Sequence, residues 1–294
     1  MWAGVTARFR EFHGNLALTQ DQITDGVTKH QGVCQCLNRH YYNSGSETAN
    51  RLLIGSWGKD TRMRPPRDVD MLSVLPVEVY HRFQSYIGNK QSALLQEVKG
   101  VLERTYPSTA MRGDGQVVMV RFNTINVEVA PGFALQNGQY WICDTNSGGR
   151  YKTTDPEAEI GHIDKIHGAN NYNLRPIIKM MKAWQAHCSV PLKSFHIELV
   201  AAEFLAQSPW RQNGWFYYDW FMRDFFYFLY YKANTTLYAP GTYEAMPLGN
   251  DWQSRVGTAY NRAVKACEYE YIDWVKQAGE EWQKIFGPQT PQTV

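Results

Sequence analysis

Between residues 19 and 42 the apolar and semi-polar positions Ile23, Val27, His30, Cys34, Leu37 and Tyr41 recur at steps of three and four, the period of an amphipathic helix. Thr19 with Gln22 three residues on supplies a capping box at its start, and the run Asn43-Ser44-Gly45-Ser46 closes it with turn chemistry. The period then changes. Residues 51–54 are a short apolar run that stops on Gly55-Ser56, a strand followed by a turn. In 68–75 strict alternation puts Asp68, Asp70, Leu72 and Val74 on one face of a strand, with Val69, Met71, Ser73 and Leu75 on the other. Helical character resumes over 78–105. Two apolar runs, 117–122 and 125–129, read as a hairpin that ends at Pro131-Gly132. The polar stretch 137–154, with Asn146-Ser147-Gly148-Gly149, is expected to be a flexible loop, and 161–173, rich in Gly and Asn, to be a hinge. Beyond it the pattern is helical: one helix opening near Pro176 with Ile177, Ile178, Met181 and Trp184, another over 195–205, and a last one over 252–286.

These elements predict an α+β protein in two lobes: a core with a mixed sheet and a long N-terminal helix in 1–165, a helical lobe in 166–286, and a flexible polar tail in 287–294. Composition agrees with a packed chain, since 44% of the 294 residues are hydrophobic and 20% charged. Lys plus Arg (30) nearly balance Asp plus Glu (28), so no broad basic field points to long nucleic acid. The five cysteines, Cys34, Cys36, Cys143, Cys188 and Cys267, form neither a CxxC pair nor a disulfide framework, which suits a reducing cytoplasm. The amino end lacks the basic-then-apolar pattern of a secretory signal. The aromatic block 215–231 is interrupted by Asp219, Arg223 and Asp224 and is too short to span a membrane. Its Phe221, Phe225 and Phe228 fall at helical spacing, so it reads as a core helix rather than a base-stacking platform, with Asp219 and Arg223 an exposed i, i+4 pair.

The chemistry concentrates between residues 55 and 70. Carboxylates two apart on a strand stand about 7 Å from each other on one face, near enough to share magnesium ions. Acid-x-acid spacing alone is weak, and it occurs elsewhere in the chain. Asp155/Glu157 encloses Pro156, Glu157/Glu159 lies in a polar stretch, and Glu268/Glu270 sits in a helical one where such residues diverge. Only Asp68/Asp70 is on a strand that follows a Gly-Ser turn. Gly55 lets backbone approach a phosphate closely and Ser56 offers a hydroxyl and its own N–H; an ordinary structural turn is the alternative. A third acid is needed if one metal activates a hydroxyl while another holds a triphosphate. Glu128, alternating with Val127 and Val129, is the candidate, and a solvated strand face is its alternative. Lys179 and Lys182 share a helix face that could meet phosphate or simply water, and Arg64 and Arg67 precede the acids.

These residues resemble the bacterial cyclic-oligonucleotide synthases related to cyclic GMP-AMP synthase and oligoadenylate synthase, the CD-NTases. The matching parts are Gly55-Ser56, eleven residues, Asp68-Val69-Asp70, then Val127-Glu128-Val129-Ala130-Pro131. Later come 174–184, with Leu174-Arg175-Pro176 and Lys182-Ala183-Trp184, and Lys193-Ser194-Phe195-His196-Ile197-Glu198-Leu199. The resemblance implies a polymerase-β-like nucleotidyltransferase core with an oligoadenylate-synthase-like helical lobe. It implies that Asp68, Asp70 and Glu128 bind two Mg2+ ions, or Mn2+, and that Lys182 and Ser194 hold the donor triphosphate. The expected substrates are nucleoside triphosphates, ATP and GTP foremost, and the product a cyclic di- or trinucleotide messenger in antiphage defence. Regulation by partner proteins is implied too, including ligation through the carboxyl terminus, for which the tail ending Thr293-Val294 is accessible. One departure is that the family commonly has Asp where this chain has Glu128. A linear oligonucleotide, a small-molecule acceptor, or a silent nucleotide-binding regulator are the competing readings.

Overall fold

The structure, a computed structural model, describes residues 2–294. Its first helix, α1 (Val5–Leu16), is followed by α2 (Gln20–Tyr42), the expected amphipathic helix. Thr19 and Gln22 form the capping box, and Asn43 ends α2 in a left-handed conformation that Asn tolerates well. β1 (Arg51–Leu53) leads into α3 (Gly55–Gly58), a single turn, and β2 (Asp68–Val74) follows. The helical stretch 78–105 is two helices, α4 (Val77–Gln84) and α5 (Lys90–Thr105). Gly88 with positive φ breaks it, and Asn89 restarts it by accepting the Ser92 N–H at 2.9 Å. β3 (Ala110–Asp114), β4 (Val117–Arg121) and β5 (Asn126–Ala134) come next, then β6 (Tyr140–Asp144) and β7 (Arg150–Thr154).

The region 137–154 is therefore a hairpin and not a flexible loop. Its Asn-Ser-Gly-Gly run is only the turn, and Trp141 stacks on Tyr151 across the pair at 5.8 Å. The candidate hinge is corrected in the same way. Most of 161–173 belongs to α6 (Pro156–Ala169), so the 165/166 boundary falls inside a helix. Pro156 in the first turn, an Asp155 carboxylate accepting the Ala158 N–H, and Glu157 and Glu159 at the positive end of the helix outweigh Gly161 and Gly168.

The seven strands make one mixed sheet in the order β1-β2-β5-β4-β3, with β6 on β5 and β7 on β6. All pairs are antiparallel except β2 with β5, whose register sets Asp68 opposite Asn126 and Asp70 opposite Glu128. One sheet face packs Val69, Met71, Val118, Val120, Val127 and Val129 against α2 and α5, all buried. The other face carries the acids.

The helical half contains α7 (Leu174–His187), α8 (Ser194–Gln207), α9 (Tyr218–Tyr230), a small hairpin of β8 (Thr236–Tyr238) and β9 (Ala245–Pro247), α10 (Gln253–Tyr271) and α11 (Val275–Phe286). The single helix expected over 252–286 is interrupted at 272–274, where Asp273 has positive φ and α11 turns back along α10. Phe221 and Phe225 are fully buried, as a core helix requires. Asp219 is not the exposed partner of Arg223: it is buried beside the α10 residue Glu270, while Arg223 pairs with Asp224 at 2.8 Å and lies over Trp220. Charge spacing on a helix does not say which face meets the core. Among the described residues no helix is long and apolar enough to cross a membrane, and all five cysteines are free.

α1 belongs to the helical half. Val5, Phe9, Phe12 and Leu16 enter its core, with Phe9 edge-on to Trp282. Arg8, fully buried, donates from Nε to Glu270 (2.8 Å), from Nη2 to the Val275 carbonyl (2.6 Å), and from Nη1 to the carbonyls of Pro291 (2.5 Å) and Gln292 (2.9 Å). Residues 287–292, expected to be flexible, are thereby strapped down by backbone contacts, and Thr290 is buried, while the side chains of Pro288, Gln292, Thr293 and Val294 stay exposed.

Gly279 on α11 leaves room for that strap, because a Cβ there would overlap the Gln292 carbonyl and the Arg8 guanidinium. Gly279→Ala should free the tail, seen as faster carboxypeptidase trimming followed by intact mass. Unchanged trimming would show that the tail is held elsewhere. A pH effect follows from Asp219, whose pKa burial pushes up to about 7, with the charge of Glu270 adding to it. A carboxyl raised on folding costs nothing below its unfolded pKa and weakens the fold as pH climbs from about 4 to 7. Asp219→Asn should therefore gain roughly 2–4 kcal/mol on wild type between pH 4 and pH 8 in urea denaturation, as an upper range.

Candidate functional site

β2 and β5 enter the sheet in the same direction, so Asp68, Asp70 and Glu128 come together at one end of a parallel pair. Strand alternation fixes which way they face: Val69, Val127 and Val129 are fully buried on the opposite side. Asn126, a residue the sequence pattern did not single out, donates its amide to Asp68 Oδ1 at 3.0 Å and fixes that carboxylate. Burial and the neighbouring charge of Asp68 push the Asp70 pKa up to about 6, against the opposing pull of the Ser56 N–H and of Lys59 and Lys182. Glu128 rises to about 7, through burial first, then Asp70, Asp68 and Asp114. Clustered acids with too little positive charge around them favour either a proton or a cation.

Gly55 faces these acids across a tight gap. Its φ is +54°, and a Cβ would overlap Oδ2 and Cγ of Asp70. The Ser56 N–H, next along the turn, pulls the Asp70 pKa down against the larger effect of burial. The turn thus presents bare backbone to an anion, and here the anion is a side chain of the chain itself.

A cleft of about 280 Å³ opens between this turn and the helical half. Gly55, Ser56, Asp68 and Asp70 line one side, and Lys182, Ser194, Phe195 and Glu198 the other; Glu128 does not line the cleft and is the register partner of Asp70 on the adjoining strand. Arg67 lines the cleft. Arg64 does not: its guanidinium donates to the Ala17 carbonyl at 3.1 Å, at the end of α1. Ser194 opens α8, with its hydroxyl 3.3 Å from Gln185 Oε1. Lys179 is half-buried, its pKa lowered by burial and partly restored by Asp60.

Lys182 is more constrained than a free phosphate ligand would be. Its Nζ donates to Thr61 Oγ1 (2.8 Å) and Glu198 Oε1 (2.6 Å). Glu198 also accepts from Thr61 (2.9 Å) and from Lys59 (3.1 Å), and Lys59 pairs with Glu159 at 2.7 Å and lies 4.1 Å over the Phe195 ring. The two lysines hold Glu198 ionised despite its burial, with a pKa below the usual range. None of Lys59, Thr61, Glu159 or Glu198 was a sequence candidate. The one local signal is that Glu198 follows Ser194 by four residues, one helical turn along the same face.

The model of the Second Messenger Oligonucleotide or Dinucleotide Synthetase domain matches residues 4–167, from α1 through most of α6. The chain belongs to this family. No curated protein sequence matches it. Among solved structures, Escherichia coli CdnC with ATP is 18% identical, with 98% of each chain covered and a TM-score of 0.67. Vibrio cholerae DncV in its apo form is 14% identical, with a TM-score of 0.73 over 97% of this chain and 96% of that one. The cyclic AMP-GMP synthase DncV with the linear intermediate pppA(3′,5′)pG is 14% identical, with a TM-score of 0.67 over 99% and 88%. The likeness runs through both halves, so this synthetase has the nucleotidyltransferase fold of CdnC and DncV, an α+β core with a mixed sheet joined to a helical lobe.

In this synthetase the oxygen-only donors of Asp68, Asp70 and Glu128 suit a hard divalent cation better than zinc or copper. Among the described residues no three His, Cys, Asp or Glu side chains are drawn together as a ready-made metal cage. The fit is to an ion that takes one or two carboxylates and completes its shell with water and phosphate oxygens, the habit of magnesium.

The Gly55 contact makes a direct test of the local geometry. Gly55→Ala should lose about 1–3 kcal/mol in urea denaturation, from the positive φ and the overlap with Asp70. Gly14→Ala, in α1 with open space around its Cα, should instead gain about 0.5–1 kcal/mol. Equal effects at the two positions would show that Asp70 does not press on the turn.

Proposed function

We propose that this synthetase joins nucleoside triphosphates, ATP and GTP foremost, into a cyclic di- or trinucleotide and releases pyrophosphate at each step. The observation that carries the reading is the Asp68, Asp70 and Glu128 set on adjoining parallel strands beside the Gly55-Ser56 turn, with Asp68, Asp70 and the turn on one side of a cleft and Lys182 and Ser194 on the other. Membership of a messenger-synthetase family supports it, as does the likeness to CdnC, whose structure holds ATP, and to DncV, a cyclic AMP-GMP synthase.

In this reading Gly55 leaves backbone bare for a phosphate, and the Ser56 N–H and hydroxyl donate to a phosphate oxygen. Lys182 gives its remaining N–H, and Ser194, at the positive end of the fourteen-residue α8, its hydroxyl, to the same triphosphate. Asp68, Asp70 and Glu128 hold two magnesium ions, or manganese. Bound there, such ions stabilise charge on the transferred phosphoryl group and lower the pKa of the attacking ribose hydroxyl. The chain's own contribution is then position: an acceptor hydroxyl brought in line with an α-phosphate that the turn and the α7–α8 wall hold still. Glu128, one methylene longer than Asp, reaches the shared centre from the neighbouring strand.

Wild-type protein with all four triphosphates and Mg2+ should release pyrophosphate and give a phosphatase-resistant product of cyclic mass. Asp68→Ala/Asp70→Ala should give none, and Glu128→Gln should lose about two to three orders of magnitude in kcat, the scale for a group that organises transition-state charge. A phosphatase-sensitive product would move the assignment to linear oligonucleotides. Undiminished synthesis in the double variant would remove these residues from the site.

A further inference from the structure

The charged cluster between the turn and α6–α8 has more members than the proposed reaction uses, since Lys182 alone among them is asked to touch substrate. A lysine is a compact ammonium on a flexible four-carbon stem with three donors, and alone at a buried wall it would swing to water or shed its proton. Here its freedom is removed. Glu198 Oε1 and Thr61 Oγ1 each take one of its protons, at 2.6 and 2.8 Å. The Thr61 hydroxyl in turn donates a hydrogen bond to Glu198 at 2.9 Å, so the three groups close a ring with a single donor order and leave one Lys182 N–H unassigned.

The second oxygen of Glu198 is held by Lys59, which is fixed in turn by Glu159 and by the Phe195 ring. Two lysines and two carboxylates cancel, so Lys182 can remain charged within the fold without a field that would repel a metal-bound substrate. The sequence origins matter as well. Lys59 and Thr61 follow directly on the Gly55-Ser56 turn, whereas Lys182 and Glu198 come from α7 and α8. The ring therefore sets the position of the lysine relative to the phosphate turn itself.

We propose that Glu198, acting with Thr61, is a positioning residue that fixes the Lys182 ammonium at the height of the triphosphate. The proposal rests on the reading of Lys182 as a triphosphate ligand. A cluster that merely joined the two halves would lose stability when cut anywhere and would act independently of Lys182. A positioning residue has no effect of its own once Lys182 is gone.

The test is a pair of double-mutant cycles read in KM, kcat and Tm for each triphosphate consumed, with Glu198→Gln and Thr61→Val each combined with Lys182→Met. Glu198→Gln and Thr61→Val should each raise KM about tenfold with less than about threefold change in kcat, and neither should add more than about twofold to the KM of Lys182→Met. Multiplying effects, with KM in the double variants near the product of the singles, would overturn the proposal. So would wild-type KM in Glu198→Gln and Thr61→Val beside an impaired Lys182→Met. Wild-type KM in Lys182→Met would remove the reading of Lys182 first and this inference with it. Should Glu198→Gln fail to fold, the near-isosteric Thr61→Val carries its own complete cycle.

Discussion

Carboxylates placed side by side repel, and everything about this site depends on the force that keeps Asp68, Asp70 and Glu128 together. That force is the apolar face beneath them. Val69 and Met71 on β2, and Val127 and Val129 on β5, are buried against α2 and α5. A slip of one residue in either strand would expose the valines and bury the acids. Burying several apolar side chains at about 1.5–3 kcal/mol each outweighs the repulsion among three half-buried charges. Burial first, and the repulsion among the acids second, raise the pKa values of Asp70 and Glu128.

The parallel pairing has a topological condition: β2 and β5 run the same way only because α4, α5, β3 and β4 intervene. β5 is long enough to pair with β4 along its first part and β6 along its last, so the strand that carries Glu128 lies in the middle of the sheet and cannot drift at an edge. The helical half then supplies the facing wall, joined to the core through charges that cancel within the cluster. Such buried pairs add little net stability compared with apolar packing, so their value lies in fixing geometry.

What could be read from the chain alone followed the range of the interactions involved. Alternation over 68–75 and 125–129 exposed the acids because a strand's two faces are written in adjacent residues, and the α2 cap was legible in Thr19 and Gln22. Local composition misled where one feature drowned another. Asn146 to Gly149 hid a hairpin whose strands were signalled by Trp141, Cys143 and Tyr151, and Gly161 and Gly168 hid a helix announced by Asp155-Pro156. The Asp219 pairing failed because helical spacing carries no information about which side is covered. Beyond Lys182 and the one-turn spacing of Ser194 and Glu198, the Glu198 cluster was not legible, since Lys59 lies 139 residues from Glu198 and Thr61 lies 121 residues from Lys182.

α1 lends a different kind of consequence. It precedes the sheet half in sequence but packs with α7, α9 and α11, and the Trp2 N–H reaches the Glu270 carbonyl at the end of α10. During synthesis the stretch from α2 to β7 can collapse on its own as it emerges, while α1 must wait, with Phe9 and Phe12 uncovered, for its most distant partners to appear. In chain order the acidic strands β2 and β5 therefore emerge before the α7–α8 wall that faces them.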